Sequence, residues 1–570
     1  MALSYALAVI ATLVAAIVLW NAATLYENYR KAKTTGLPVK IVYIASGAPL
    51  WMMFAPLIIP IASYLPFTGS FVAQYRRGWE ARVRCRPHVE LGDLFIIVTP
   101  SGNWLKVANT DVASDILKRK DEFGRDMEAF KVLDIYGKSL ATSEGPDWNR
   151  HRKVAAVTFT EKNNELVWRE SLREGSQMLE YWLHRSPQPM RTLGDDARVF
   201  TLNVLAAALF DKSYPFESRE ESKLREKSGK KDTAVGYRDS LSTILRLIIP
   251  ILVFGEKVLR EAWWLPMSIK KAGFAVSDFR TYVTELINEE RALIAQGKQN
   301  SPNLVTNLVR ACEQDDDGSM NVASSKPRRA ILTKDEIISD LFVFAFAGND
   351  TTAITLMHLL AYVSAHPDVQ DWISEEIQYH TVGSEVLSWD YDTCVKLKRC
   401  WAVVYETLRL CHPLGQLVKT TGNTPRTLRH GDRTFSVPAK TTVEINLAAI
   451  HTHPRYWGTE SNLTWNPKRF IAGSSLEDET LHADTAEQFF PWAYGRLVCP
   501  GKRFSQVELV AVLAACFRDH TVEPVPEKGE TIEMARKRTV RLAEDIEMRL
   551  LNEMRQPGKV ALKWRRRDQP

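Results

Sequence analysis

A mainly α chain with a small β region (α+β) is the fold class this sequence predicts, and three observations predict it. A capped, apolar run over residues 333–365 would form a helix spanning roughly 45 Å. Residues 191–293 keep a mainly helical pattern, and the segments that read as strands are short and bounded by turn residues. With 570 residues, 45% of them hydrophobic and 25% charged, the chain can bury a sizeable core and is not disordered as a whole. Its formal charge of +6 is small for this length, and its Lys and Arg are interspersed with Asp and Glu, so no nucleic-acid partner is expected. Seven cysteines form no C-x-x-C pair and no zinc spacing, which suits a reducing compartment.

Residues 3–20 are uncharged and almost wholly apolar, about the length that crosses a bilayer as a helix. A cleaved signal peptide is the competing reading, and three features oppose it. No basic region precedes the run, the run is longer than a usual signal core, and Arg30, Lys31 and Lys33 follow it. The expectation is an uncleaved anchor over residues 1–26, with the positive charge behind it held on the cytosolic side. Residues 27–75 form a membrane-proximal segment. Within it a second uncharged run, 41–75, carries Trp51, Met52, Met53 and Phe54 but is interrupted by Pro49, Pro56, Pro60 and Pro66. Prolines at that density argue against a straight second span, so the run lies in the membrane interface or packs beneath the following domain; a true second span is the alternative.

Residues 93–107 read as strand, turn and strand, followed by a helix from Thr110 or Asp111. Beyond Gly145-Pro146, Trp148 and Arg152 stand four apart and share one helix face; taken alone, the basic residues there are solvated surface. Residues 245–254 are strongly apolar, and Trp263 and Trp264 follow a short charged break. That pattern suits core, a membrane interface or the mouth of a substrate channel equally. Residues 313–329, with an Asp run, Ser, Gly and a basic end, read as a surface loop.

The long helix opens on Thr333-Lys334-Asp335-Glu336, a capping box, and stops before His366-Pro367. At its centre Gly348 costs roughly 1 kcal/mol relative to Ala, and Asp350 interrupts an apolar run. Such local violations mark sites. A small residue would let something flat approach the helix, and an acid beside an alcohol, Asp350 with Thr351, can organise water and relay protons. A hydroxyl bonded back to the preceding turn is the plain alternative, expected of Thr352.

In the C-terminal third Glu406 and Arg409 stand at i, i+3 on a helix, by default a weak surface pair. Residues 416–421, including Lys419, read as a strand, and residues 436–445 as a further β segment. His451 and His453 sit on a loop without an acidic or cysteine partner and make a poor metal site.

The chemistry concentrates in Phe490-Pro491-Trp492-Ala493-Tyr494-Gly495-Arg496-Leu497-Val498-Cys499-Pro500-Gly501, which runs into an amphipathic helix. A single cysteine between glycines, leaving through Pro-Gly into a helix, reads as a ligand held out on a turn. Gly495 and Gly501 would let the backbone approach a flat cofactor, and the N–H groups of the following helix would stabilise a thiolate. A buried structural cysteine is the competing reading.

At these residues the chain resembles the haem-thiolate cytochrome P-450 superfamily, whose signature is Phe-x-x-Gly-x-Arg-x-Cys-x-Gly. Gly495, Cys499 and Gly501 are in register. Trp492 stands where the family usually has Phe, and Leu497 where it usually has a propionate-binding Arg, with Arg496 one place early. The resemblance extends to three further motifs. Trp148 and Arg152 match a Trp-x-x-x-Arg pair that holds a haem propionate. Residues 347–352 match Ala-Gly-x-Asp-Thr-Thr, in which Asp350 and Thr351 would deliver protons to iron-bound dioxygen. Glu406, Arg409 and Arg469 match a structural Glu-Arg-Arg triad. Lys419 stands where a propionate-binding Arg is commoner and implies a weaker contact.

The resemblance implies the P-450 fold behind an N-terminal transmembrane helix, with residues 76–570 as the haem-thiolate catalytic domain and haem iron on Cys499. It implies a monooxygenase that inserts one atom of dioxygen into an apolar small molecule, a secondary metabolite or lipid-like compound. Electrons would come from a separate NADPH-cytochrome P-450 reductase, since no flavin or nicotinamide glycine fingerprint follows any strand. The implied location is the endoplasmic reticulum membrane, single-pass, with the catalytic domain in the cytosol. A haem-thiolate isomerase or dehydratase of the same fold, and a non-catalytic haem sensor, are the competing functions. The Asp350-Thr351 pair argues against the former.

Overall fold

The computed structural model describes residues 2–44, 49–65, 72, 75–156, 159–185, 187–218, 221, 233–297, 304–313, 332–482 and 487–568. Helix α1 (Ala2–Lys33) is followed by strand β1 (Val39–Ile41) and helix α2 (Pro49–Ser63). α1 runs past the expected boundary at residue 26 without a break, because its last turns dock on the domain. Asn28 Nδ2 donates to Thr99 O at 2.9 Å, Asn103 Nδ2 donates to Asn28 O at 3.0 Å, and Ala32 is fully buried. Arg30, Lys31 and Lys33 therefore lie in the helix's last turn rather than behind it.

α2 is helical despite its prolines. Pro49 takes the first position, where its missing N–H is harmless, and Trp51, Ala55 and Ile59 form a buried stripe against Val42, Tyr75, Phe95 and Ile97. Burial of that stripe outweighs the backbone bonds that Pro56 and Pro60 remove. At about 1.5 Å per residue its 15 residues fall short of the roughly 30 Å of a bilayer's hydrocarbon core.

Strands β2 (Leu94–Thr99), β3 (Gly102–Val107), β4 (Gly124–Arg125), β5 (Leu417–Thr420) and β8 (Thr442–Ile445) join β1 in one sheet, ordered β1-β2-β3-β8-β5-β4. β2 is buried at every position because both of its faces are covered. Leu94, Ile96 and Val98 meet the cluster built with the helix Thr110–Lys118, and Phe95 and Ile97 meet the cluster beneath α2. Residues 436–445 divide between two sheets rather than forming one segment. Strand β7 (Arg433–Val437) pairs with β6 (Arg426–His430), and Lys440, at φ 57°, turns the chain into β8.

The helical body includes α3 (Gly145–Ala156), α4 (Leu193–Phe210), α5 (Lys334–Ala365), α6 (Lys398–Leu410) and α7 (Lys502–Phe517). α5 is its axis. Thr333 Oγ accepts the Glu336 N–H and Glu336 Oε2 accepts the Thr333 N–H, so the capping box forms, and the helix packs against α4, α6 and α7. It is long and apolar enough to cross a membrane, but it is buried around its circumference and forms the core.

Gly348 serves that packing. A Cβ there would lie 2.8 Å from Leu205 Cδ2 on α4, so the missing side chain admits a neighbouring helix, not a flat ligand as the sequence suggests. The helix Leu304–Glu313 ends at the first residue of the expected surface loop, and the rest of that stretch, to residue 329, lies outside the described residues.

Candidate active site

Cys499 stands on a loop closed by backbone bonds. Its N–H donates to Trp492 O at 2.9 Å, and the Val498 N–H donates to Gly495 O at 3.2 Å. Ala493 (φ 62°) and Gly495 (φ 72°) both take left-handed backbone, and at the second of them glycine makes the turn without strain. α7 begins at Lys502, and the Gly501 N–H is directed at the sulfur. A Cβ at Gly501 would lie 3.9 Å from Cys499 Sγ and 4.0 Å from Phe159 Cε1. Phe159 in turn meets Phe344 of α5 edge-on, with centroids 5.8 Å apart, so one ring reaches from the cysteine loop to the long helix.

Cys499 is the one exposed free cysteine among the described residues. It nonetheless lies deep: burial raises its thiol pKa, against the lowering pull of the Gly501 N–H and the Arg152 charge. Its side chain is thus accessible although protein surrounds it. Trp492 commits its polar edge to α7, the indole N–H donating to Ser505 Oγ at 3.0 Å, and its ring meets Tyr405 edge-on at 5.9 Å.

Trp148 on α3 is buried, and its indole N–H has no hydrogen-bond partner among the described residues. Arg125 lies directly opposite Lys419 in the β4–β5 pair, with its guanidinium 6.0 Å from the Trp148 ring. Arg152, four residues along α3, is close enough for its charge to act on both Arg125 and Cys499. Burial, and then the Arg125 charge, press the Lys419 pKa down to about 8. Among the described residues none of these three cations has an ion pair, although Arg125 Nη1 donates to the carbonyls of Leu140, at 2.8 Å, and Ala141, at 3.1 Å. An orphaned indole N–H and crowded, unpaired cations beside a thiol form a donor set that the carboxylates of a flat cofactor would satisfy, so the residues present fit haem. Arg496 is exposed and makes no hydrogen bond with a described residue, while Leu497 packs on the core.

On α5, Asp350 and Thr351 have different partners. Asp350 Oδ1 accepts from Arg198 Nε at 3.0 Å, and the same guanidinium donates to Glu553 Oε2 at 2.6 Å. Burial raises the Asp350 pKa and the Arg198 charge opposes the rise. The Thr351 hydroxyl donates to Ala347 O at 2.6 Å, so the back-bonding expected of Thr352 occurs at its neighbour.

Glu406, Arg409 and Arg469 meet in the interior. Arg409 binds Glu406 through Nε at 2.7 Å and Nη2 at 2.9 Å, and Arg469 Nε donates to Glu406 Oε1 at 3.1 Å. Arg409 also donates to the carbonyls of His451, at 2.8 Å, and Asn462, at 2.7 Å. The pair is therefore a fully bonded buried network and not the surface pair that isolated spacing suggests. His412 holds the cysteine loop from the same side: Nε2 donates to Pro491 O at 2.7 Å, and Nδ1 accepts the N–H groups of Leu414 and Gly415. His412, Arg125 and Arg198 escape sequence reasoning, since no local pattern marks them.

A mainly helical protein with a cysteine on a glycine-flanked turn, the Arg152 charge acting on it, and such a donor set defines a haem-thiolate class. The chain belongs to the cytochrome P450 family, matching its description, Cytochrome P450, over residues 60–549. It is 27% identical over 543 residues, 89% of each chain, to a cytochrome P450 monooxygenase of Arthrobotrys oligospora. It is 25% identical over 548 residues, 88% of this chain and 90% of the relative, to a phomenoic acid biosynthesis cluster cytochrome P450 monooxygenase of Leptosphaeria maculans. A crystal structure of a cytochrome P450 shares its fold with a TM-score of 0.62 at 16% identity, over 85% of this chain and 97% of that one. The expected family, mostly helical fold, haem cofactor and dioxygen-using oxidoreductase class thus hold.

Proposed function

We propose that this chain inserts one oxygen atom from dioxygen into an apolar small molecule, a secondary metabolite or lipid-like compound, with Cys499 as the residue that would hold its haem iron. The observation that carries this reading is the Cys499 thiol, accessible on a turn anchored to Trp492 and Gly501. Bound haem supplies the reductive activation of dioxygen.

The chain supplies binding, charge and protons. Trp148, Arg152 and Lys419, with Arg125, are placed to hold the propionates, and Arg496 has no competing partner among the described residues. Gly495, Gly501 and Trp492 shape the loop beneath. The Asp350 carboxyl, its pKa raised by burial, takes up and releases a proton at its oxygens under the control of Arg198. Thr351 Oγ, its proton directed at Ala347 O, keeps lone pairs to accept a hydrogen bond from a proton-carrying group. Glu406, Arg409 and Arg469 have a structural role, fixing the segments against which the loop rests.

Electrons come from a separate NADPH-dependent reductase. Lys118 and Lys502 lie over the rings of Tyr494 and Trp492 in the cysteine loop, and this positive rim suits an acidic flavoprotein. Residues 1–26 are read as a single-pass anchor in the endoplasmic reticulum membrane, 27–75 as membrane-proximal and 76–570 as the catalytic domain in the cytosol. Supporting this, Leu13, Ile17, Leu19 and Trp20 of α1 are exposed, as are Leu57 and Ile61 of α2 and Trp263 and Trp264 of a separate patch. The Leptosphaeria maculans relative, named for a phomenoic acid biosynthesis cluster, supports the substrate class.

The deciding experiment is a reduced, carbon-monoxide difference spectrum of the purified protein and of Cys499→Ser. Loss of the red-shifted Soret band in the variant is expected; its retention would remove Cys499 as ligand. Substrate-dependent NADPH consumption with a reductase separates the enzyme from a sensor.

A further inference from the structure

A cavity of about 160 Å³ opens beside the six-stranded sheet, and none of its lining residues belongs to the site around Cys499. Trp79 and Trp104 wall it, and its floor is a buried ion triad. Lys106 Nζ donates to Glu80 Oε1 at 2.9 Å and also to Glu444, and it lies 5.6 Å and 5.9 Å from the two indole rings. Each member of the triad has a hydrogen-bond partner within it, two carboxylates sharing one ammonium. The two further cations in the wall differ: Lys40, its Nζ 5.9 Å from the Trp79 ring, and Arg77 have no ion pair and no side-chain hydrogen bond among the described residues.

Arg77 is half-buried, and burial is the cause that lowers its pKa. A guanidinium drawn partly out of water with no protein acceptor bears a desolvation cost, and its fork of donors matches a carboxylate or phosphate. Of the remaining wall, Val42, Ile44 and Ile97 belong to the apolar cluster on which α2 packs, beside Gly78, Thr99, Gln416 and Met548. A group held by Arg77 and Lys40 would therefore carry its hydrocarbon along an apolar surface.

We propose that this cavity binds the anionic head, carboxylate or phosphate, of an apolar-tailed molecule, with Arg77 and Lys40 as its ligands. The head comes either from a free acid or from a membrane lipid, and the two sources are separable. In the full chain in a neutral detergent, phenylglyoxal modifies Arg77 at a rate read by peptide mass spectrometry, with exposed Arg429 as internal control. Saturating dodecanoate is expected to slow modification of Arg77 by about tenfold and leave Arg429 unchanged, whereas dodecanol, with the same tail and no charge, gives no protection.

Protection by dodecanoate and inorganic phosphate supports a free anion as the ligand. Protection by phosphatidylserine vesicles, without protection by dodecanoate, supports a lipid head. Lys40→Gln should raise the dodecanoate needed by about tenfold. Equal protection by dodecanol and dodecanoate, no protection by any of these anions, or an unchanged requirement in Lys40→Gln would overturn the site.

Discussion

Arg198 on α4 and Asp350 on α5 bind each other across the interior, Nε to Oδ1 at 3.0 Å, and the same guanidinium reaches Glu553 on the strand Asn552–Met554. The acid at the centre of the long helix is thus held by a side chain from another helix. Replacing Arg198 by Gln leaves a buried carboxylate without its cation, a loss of about 3 kcal/mol. Glu553 retains Arg549 at 3.1 Å, so the deficit falls on Asp350. The Asp350 pKa is already raised and rises further without Arg198, so stability falls as pH climbs through the carboxylate range. Thermal unfolding should show a smaller Arg198→Gln deficit in acid than at pH 7.5, and Asp350→Asn in the same chain should restore part of it. A deficit independent of pH would refute this account.

Lys419 carries a different sign. Its pKa is depressed to about 8, so its charge is lost as pH rises through that value; a bound propionate lifts the onset above it. Haem occupancy after gel filtration should fall in alkali for the wild type, be low at all pH values in Lys419→Met, and hold at high pH in Lys419→Arg. A Lys419→Arg curve that follows the wild type would show that this charge does not hold haem.

His412 is neutral above its pKa of about 4, lowered by burial. His412→Ala strands the Pro491 carbonyl and two N–H groups at a total cost of about 3 kcal/mol. Between pH 7.5 and 8.5, above the ordinary histidine range, the variant should lose the red-shifted carbon-monoxide band at a lower temperature than the wild type by a pH-independent margin. Because its folded pKa is depressed, His412 also costs stability as pH falls below the ordinary histidine value toward 4, and an acid titration should be shallower in His412→Asn.

Gly348→Ala tests the packing of α4 on α5. The added methyl gains about 1 kcal/mol of helix propensity but forces Leu205 from its place, an overpacking cost of about 2 kcal/mol. Denaturant unfolding should show a net loss near 1 kcal/mol, reversed when Leu205→Ala makes room. Equal losses with and without Leu205→Ala would mean that the two residues do not oppose each other.

What sequence by itself determined is local. The Thr333–Glu336 capping box, the stop at His366-Pro367, the turn between β2 and β3 and the glycine-flanked Cys499 loop all follow from residues within a few positions of one another, where propensity and turn chemistry act. Tertiary structure decided the rest. Whether α2 is helical depended on what Trp51, Ala55 and Ile59 could bury against, and the purpose of Gly348 depended on Leu205. Arg125 faces Lys419 only because a two-residue strand pairs with one far along the chain, and Arg198 and His412 reach Asp350 and Pro491 from separate elements. Their desolvation, charge and hydrogen bonds arise from contacts that exist only once distant segments pack, and no local pattern encodes such contacts.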